Sequence, residues 1–210
     1  MDNRKLACFL LLVSSIGVSH ADGFFVNANV GEVNFYPQYR DRYSKDHSYS
    51  EALRAGYRWD AGAFSYGLEA GYVNLGHSYD LEFHNTGGSQ LSERIDGALL
   101  GANLKYAWRS GFFISGRGGF FRSTDHQVSQ YEYWIVGLPF GPHYKGTVRE
   151  SPAGMGSYWG AGLGYDLNKS FGVSLNYDRY RPHVVTDDAD ILFSVTPRVD
   201  AYSIEGEYRF

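Results

Sequence analysis

The sequence predicts an all-β protein, an eight-stranded antiparallel transmembrane up-and-down β-barrel. Three observations predict this fold. Eight segments alternate apolar and polar residues, the connections between them are alternately short and long, and aromatic residues recur where the segments meet the short connections. The 210 residues include 18 Tyr and 26 Gly, a composition that favours closely packed strands over helices.

The N-terminal 21 residues have the three parts of a secretory signal peptide. Arg4 and Lys5 precede an apolar run at residues 6–18, and Ser19-His20-Ala21 places small residues at −3 and −1 of a cleavage site. The apolar run is too short to span a membrane comfortably as a helix. We therefore expect residues 1–21 to be cleaved and residues 22–210 to form a single barrel domain that is secreted across the inner membrane.

Each of the eight predicted strands has one apolar face. Since successive side chains of a strand point to opposite sides, such a face marks the side that contacts lipid or a core. In chain order, the apolar positions are Phe24, Val26, Ala28 and Val30; Leu53, Ala55, Tyr57 and Trp59; Phe64, Tyr66, Leu68, Ala70 and Tyr72; Ala98, Leu100, Ala102, Leu104, Tyr106 and Trp108; Phe112, Ile114, Gly116, Gly118 and Phe120; Trp159, Ala161, Leu163 and Tyr165; Phe171, Val173, Leu175 and Tyr177; and Tyr202, Ile204, Gly206, Tyr208 and Phe210.

The opposite face is rich in Gly, Ser and Asn and carries five charges of each sign. A soluble barrel is apolar inside and polar outside, whereas a membrane barrel reverses this arrangement. Balanced charges are required inside a narrow barrel because an unpaired buried charge is very costly. The predicted interior charge network is Arg54, Arg58, Lys105, Arg117 and Arg209 with Glu69, Asp166, Asp178, Glu205 and Glu207.

The connections predict which end of the barrel faces the cell exterior. Residues 60–63, 109–111 and 168–170 form short turns, whereas residues 37–50, 74–93, 122–156 and 181–197 form long connections. Outer-membrane barrels have short periplasmic turns and long external loops. An outward aromatic residue stands where each strand meets a short turn or a chain end, as in an aromatic girdle at the membrane boundary. These residues are Phe24, Trp59, Phe64, Trp108, Phe112, Tyr165, Phe171, Tyr208 and Phe210.

The chain resembles the OmpA-like and opacity-protein family of eight-stranded outer-membrane barrels. The resemblance rests on GFFVNANVG at residues 23–31, GRGG at 116–119, LNYDRY at 175–180 and YSIEGEYRF at 202–210. It implies a location in the bacterial outer membrane and makes Tyr208 and Phe210 the signal read by the outer-membrane insertion machinery. Relatives often add a peptidoglycan-binding domain after the barrel, and we expect none here.

Other chemistries are weakly supported by the sequence. The net charge of −4 argues against nucleic acid as a partner. We expect no enzyme activity, cofactor or metal site, because the histidines show no metal-ligand spacing. Some eight-stranded barrels are lipid hydrolases, and the residues that suggest this alternative are His183, Asp187 and Ser194. A narrow pore is a second alternative, although eight strands enclose a space that side chains fill.

The sequence favours a structural or adhesin-like function through the long external loops. The third loop contains an aromatic and apolar run at residues 131–140, and such runs commonly mark a contact surface. The same run is compatible with a hairpin that continues the strands above the membrane. The candidate contact residues are Tyr131, Tyr133, Trp134, Ile135 and Phe140. The expected partners are outer-membrane lipid, lipopolysaccharide and a host or surface ligand.

Overall fold

The computed structural model describes residues 22–36, 47–84, 87–134, 143–182, 184–188, 191–195 and 198–210. The predicted signal peptide lies outside these residues. The described part of the chain contains no helix of the length and hydropathy needed to cross a membrane.

Strands account for nearly all of the described residues, and they occur in eleven segments. They are β1 (Gly23–Tyr36), β2 (His47–Ala61), β3 (Phe64–His84), β4 (Gly87–Ala107), β5 (Phe112–Trp134), β6 (His143–Glu150), β7 (Ala153–Asp166), β8 (Phe171–Arg181), β9 (Val184–Asp188), β10 (Ile191–Val195) and β11 (Arg198–Arg209).

Eight of these strands close into an antiparallel barrel, which confirms the predicted fold. The wall runs in the order β4, β3, β2, β1, β11, β8, β7, β5, and β5 pairs with β4 to complete the ring. The first and last wall strands meet over a long register, from Phe25 opposite Arg209 to Tyr36 opposite Arg198. A closed ladder satisfies every backbone group along the wall, which a chain surrounded by lipid requires.

The three short turns lie where the sequence predicts them. Gly62 and Gly111 have positive φ values of 74° and 92°, a backbone conformation that glycine adopts without steric cost. In the third turn, the Asn168 side-chain oxygen accepts hydrogen bonds from the backbone N–H groups of Ser170 and Phe171, both at 2.8 Å. This local hydrogen bonding explains why an Asn begins a tight reversal there.

The external connections contain more strand than the sequence predicts. Residues 74–93 are not a long loop, because β3 continues to His84 and β4 begins at Gly87. In the third connection, β5 continues to Trp134 and pairs with β6, as in the hairpin interpretation. Tyr79, Leu81 and Phe83 alternate with polar residues in the β3 extension, but its partner segment on β4 is rich in Gly and polar residues. Such a segment predicts a loop, although its backbone groups still pair in a ladder.

The outward face forms a continuous apolar surface. Leu and Ile side chains at mid-strand are largely exposed, including Leu100 at 63%, Leu175 at 64% and Ile204 at 63%. Soluble monomers rarely expose a contiguous apolar surface of this extent, which is typical of a surface that contacts a membrane or a partner. The residues of the predicted girdle lie together at the end with the short turns, where their rings contact one another in pairs such as Phe112 with Tyr165 and Tyr208 with Phe210. The outward face is therefore the lipid-facing surface.

The barrel interior has two layers along its axis. Toward the external end, buried apolar side chains form one cluster. Toward the short turns, the interior is polar and charged. The members of the apolar cluster are Val33, Ala52, Val73, Leu75, Ile95, Leu99, Phe121, Tyr158, Tyr180, Val199 and Ala201.

Candidate functional site

The predicted interior charges form two clusters, and the outer cluster is centred on Arg117. Its guanidinium donates Nε and Nη2 hydrogen bonds to the two carboxylate oxygens of Asp178, at 2.7 and 2.6 Å, and Nη1 donates to Glu205 at 2.6 Å. Arg54 lies 3.6 Å from Glu205, 3.8 Å from Asp178 and 4.0 Å from Glu69. Two arginines thus face three carboxylates in a region shielded from water, where ionic hydrogen bonds are strong.

Two tyrosines complete the outer cluster, and sequence reasoning missed both. The Tyr158 hydroxyl donates to Glu69 at 2.8 Å, and the Tyr180 hydroxyl accepts from Arg54 at 2.8 Å. Their rings belong to the apolar cluster above, where Tyr180 packs edge-on against Phe121. Both tyrosines occupy inward-facing positions of the alternating pattern on two adjacent strands, and this was the sequence signal that could have identified them. The tyrosines therefore join the apolar layer to the charged layer.

The inner cluster contains the other five predicted charges. Arg58 binds both carboxylate oxygens of Glu207 at 3.0 Å. Lys105 Nζ lies 2.8 Å from Asp166 and 3.4 Å from Glu207, and Arg209 donates to Asp166 at 2.8 Å. Three cations face two carboxylates here, which offsets the excess carboxylate of the outer cluster. The ten charges together are neutral.

An amide connects the two clusters. Asn103 accepts from Arg58 Nε at 2.9 Å and donates to Glu69 at 3.2 Å. The cavity between the clusters has a volume of about 20 Å³, which accommodates about one water molecule. A larger cavity of about 530 Å³ opens among the short turns and is lined by Arg58, Lys105, Asp166 and Arg209. The arrangement is a water-accessible recess beneath a filled interior.

The glycine run at residues 160–164 makes room for the outer cluster. A Cβ added at Gly160 would lie 1.9 Å from Asp178 Oδ1, and one added at Gly162 would lie 2.0 Å from Asn176 Oδ1. The run lies inside β7. These glycines therefore accommodate neighbouring interior side chains.

The strands that extend beyond the barrel wall form a four-stranded sheet, here called the external sheet. It comprises residues 77–84, 87–94, 126–134 and 143–150 of β3, β4, β5 and β6. Among the described residues, β6 has a strand partner on one side only, which is β5. The external sheet therefore presents an edge strand to the outside.

The candidate contact run lies partly in this sheet. The ring of Tyr131 lies over Gly146, since a Cβ added there would meet the ring at 2.1 Å. Tyr133 and Trp134 end β5, whereas Ile135 and Phe140 lie outside the described residues. Within the external sheet, the Tyr131 ring therefore packs across the backbone of the neighbouring strand β6.

Two other sets of predicted residues have defined positions. The Tyr208 ring contacts the rings of Phe171 and Phe210, tilted against the first and edge-on to the second, with a centroid distance of 4.8 Å to each. The Phe210 backbone N–H donates to the carbonyl of Phe24 at 3.0 Å, so the last residues take part in the pairing between the first and last strands of the barrel wall.

Of the residues that suggested a lipid hydrolase, Asp187 and Ser194 lie in the separate β9–β10 hairpin, and His183 lies outside the described residues.

Solved structures with a similar fold are outer-membrane barrels. A major outer membrane protein from Thermus thermophilus matches with a TM-score of 0.50 at 15% identity, covering 91% of this chain and 100% of that chain. The attachment invasion locus protein Ail of Yersinia pestis matches with a TM-score of 0.49 at 12% identity, with coverage of 91% and 100%. OprG from Pseudomonas aeruginosa matches with a TM-score of 0.48 at 13% identity, with coverage of 91% and 98%.

No protein-family model and no curated protein sequence matches this chain. The closed eight-stranded wall, its apolar outer surface and the common fold of the solved structures nevertheless define its class. The protein is an integral β-barrel of the bacterial outer membrane.

Proposed function

We propose that the protein is a surface-interaction protein that binds its ligand through the external sheet. The observation that carries this proposal is the β6 edge, which has one strand partner among the described residues. An edge strand presents backbone N–H and C=O groups that can pair with an extended segment of another protein. The side chains around Thr147, Val148 and Arg149 are exposed, so a partner reaches this edge without displacing them.

The filled interior supports an interaction function over transport. Conduction of a solute requires a continuous passage, and the outer end of this barrel is occupied by the apolar cluster. Below that cluster, Arg117 and its carboxylates fill the cross-section. We therefore expect no ion conductance in planar lipid bilayers, and a steady single-channel current would favour the pore alternative.

Contact with outer-leaflet lipid is the second part of the proposal. Arg179 and Arg198 lie at the external end of the lipid-facing surface, where both pair with Asp200. Arg179 also lies over the ring of Trp159 at 5.2 Å. A pair of arginines facing one carboxylate keeps a net positive charge, which attracts the phosphates of lipid or lipopolysaccharide headgroups.

The interaction function is tested by deleting residues 128–146 and joining the ends with Gly-Ser. The wall pairing of β5 with β7 extends only to Thr124 opposite Ala153, so the shortened chain should assemble and keep its heat-modifiable mobility on gels. Bacteria that display it should lose adherence to surfaces coated with serum proteins. A Gly-Ser replacement of residues 189–190, in another external connection, is the matched control and should keep adherence. Full adherence of the 128–146 deletion would refute the proposal.

A further inference from the structure

Two strands and the break between two others bring three side chains together on the outer face near the external end of the barrel. Asp96 lies on β4, His126 lies on β5, and Ser151 lies in the short break between β6 and β7. His126 Nδ1 is 3.2 Å from Ser151 Oγ, and His126 Nε2 is 3.2 Å from Asp96 Oδ1. An imidazole held between a hydroxyl and a carboxylate is the arrangement that activates a serine nucleophile.

The Asp96 carboxylate lies beside this imidazole and is held by groups of its own. Asp96 is 7% exposed, and its Oδ2 accepts a hydrogen bond from the Tyr72 hydroxyl. Oδ1 is buried and accepts no hydrogen bond from the described residues, although the Arg94 Nε lies 3.9 Å away. His126 Nε2 lies 3.2 Å from this oxygen as an ionic contact, and Nδ1 is within hydrogen-bond distance of the Ser151 hydroxyl. The Asp96 carboxylate therefore acts through its charge and stabilises the imidazolium that forms when the serine reacts.

The height of these three residues along the barrel axis matches the polar boundary of the outer leaflet. Asp96 precedes the girdle residue Trp108 by twelve positions on the same outward face. At about 3.3 Å per residue and a strand tilt of about 40°, this separation is roughly 30 Å along the membrane normal. The apolar band of such barrels is about 25 Å tall. His126 is about half exposed, so lipid headgroups and the esters beneath them can reach it.

We propose that Ser151, His126 and Asp96 form a hydrolytic site for a carboxylic ester of an outer-leaflet lipid. Ser151 Oγ attacks the ester carbonyl while its proton passes to His126 Nδ1. The ester C–O bond breaks, and the leaving alcohol takes that proton, which leaves an acyl group on Ser151. Water then attacks this acyl-enzyme and gives a proton to His126. The Ser151 oxygen leaves with that proton, so the free fatty acid is the second product and the site is restored.

In this site Ser151 and His126 are the catalytic residues, and Asp96 is a positioning residue. The proposal goes beyond the interaction function and does not depend on it. Deletion of residues 128–146 keeps all three side chains in the chain, so loss of binding and loss of hydrolysis are separate results. Phospholipids and lipid A both carry acyl esters, and the substrate arms of the experiment distinguish them.

The test uses the full mature chain refolded into phosphatidylethanolamine vesicles, with and without lipid A. Free fatty acids are measured by mass spectrometry, and a fluorophosphonate probe reports a reactive serine in the peptide that contains Ser151. Ser151→Ala should abolish both signals, and His126→Gln should lower the hydrolysis rate about 100-fold or more. Ser157→Ala, which removes another exposed hydroxyl nearby on β7, is the matched control and should leave both signals unchanged.

Asp96→Asn provides a readout that a merely structural residue would not change. We expect kcat to fall at least about tenfold with KM unchanged, because the substrate still binds while the imidazolium loses the carboxylate that stabilises it. Heat-modifiable gel mobility shows whether each variant folds. Because probe labelling of the unaltered chain needs no variant, the proposal stays testable if a variant fails to assemble. No fatty acid release from either vesicle, or release that Ser151→Ala leaves unchanged, overturns it.

Discussion

Replacing Arg117 by methionine tests whether the interior charges act as one network. The substitution keeps an unbranched side chain of moderate length but removes three ionic hydrogen bonds, two to Asp178 and one to Glu205. Asp178 is 1% exposed, so its carboxylate cannot regain water. Removing one partner of a buried ion pair costs about 3–5 kcal/mol. We expect the free energy of unfolding to fall by about 4 kcal/mol, inside this range. Arg54 remains 3.8 Å from Asp178 and still offsets part of its charge.

The assay is equilibrium urea unfolding of the chain refolded in phospholipid vesicles, followed by fluorescence of the outward Trp residues. A double-mutant cycle identifies the partner. Asp178→Asn combined with Arg117→Met should recover at least about 1.5 kcal/mol relative to the sum of the single changes, since interacting pairs couple by about 0.5–3 kcal/mol. Asp166→Asn is the matched control, because Asp166 pairs with Lys105 and Arg209 in the inner cluster. Equal coupling to both aspartates would refute the assignment of Arg117 to the outer cluster.

Three further predictions follow from the faces of the strands. Gly160→Ala should destabilise the barrel by about 1–3 kcal/mol because the new Cβ overpacks against the buried aspartate 1.9 Å away, whereas Gly206→Ala, with no atom within 4 Å of its Cβ, should be nearly neutral in the same urea titration. Leu100→Arg should cost about 2–4 kcal/mol because it places a charge in lipid. Asn103→Ala, inside the barrel, should cost less, and the reverse order would contradict the face assignment. Protease added to intact cells should cut only external connections, so cleavage at residues 168–170 would show that the barrel has the opposite orientation.

The sequence by itself determined the elements that follow from a local period. Alternation assigned the lipid-facing and interior faces of the eight wall strands, because the side chains of a strand alternate whatever its neighbours are. The sequence also located the three short turns. It assigned the girdle residues to the outward face and the ten charges to the interior face. The external extension of β3 alternates Tyr79, Leu81 and Phe83 with polar residues, but the facing segment of β4, residues 87–94, is made of Gly and polar residues apart from Leu91. The same reasoning therefore treated residues 74–93 as a loop.

Only the tertiary structure decided which residues meet across the barrel. The sequence placed Arg117 and five carboxylates on the interior face without pairing them, and the register selects Asp178 and Glu205, the latter 88 positions away. The same holds for Tyr158 beside Glu69. Asp96, His126 and Ser151, the residues of the proposed hydrolytic site, also share no spacing that a motif could reveal. Whether a residue is at an odd or even position in its strand determines which face its side chain occupies. The stagger of the strands and the closure of the barrel determine how far along the barrel axis that side chain lies and which side chains it meets.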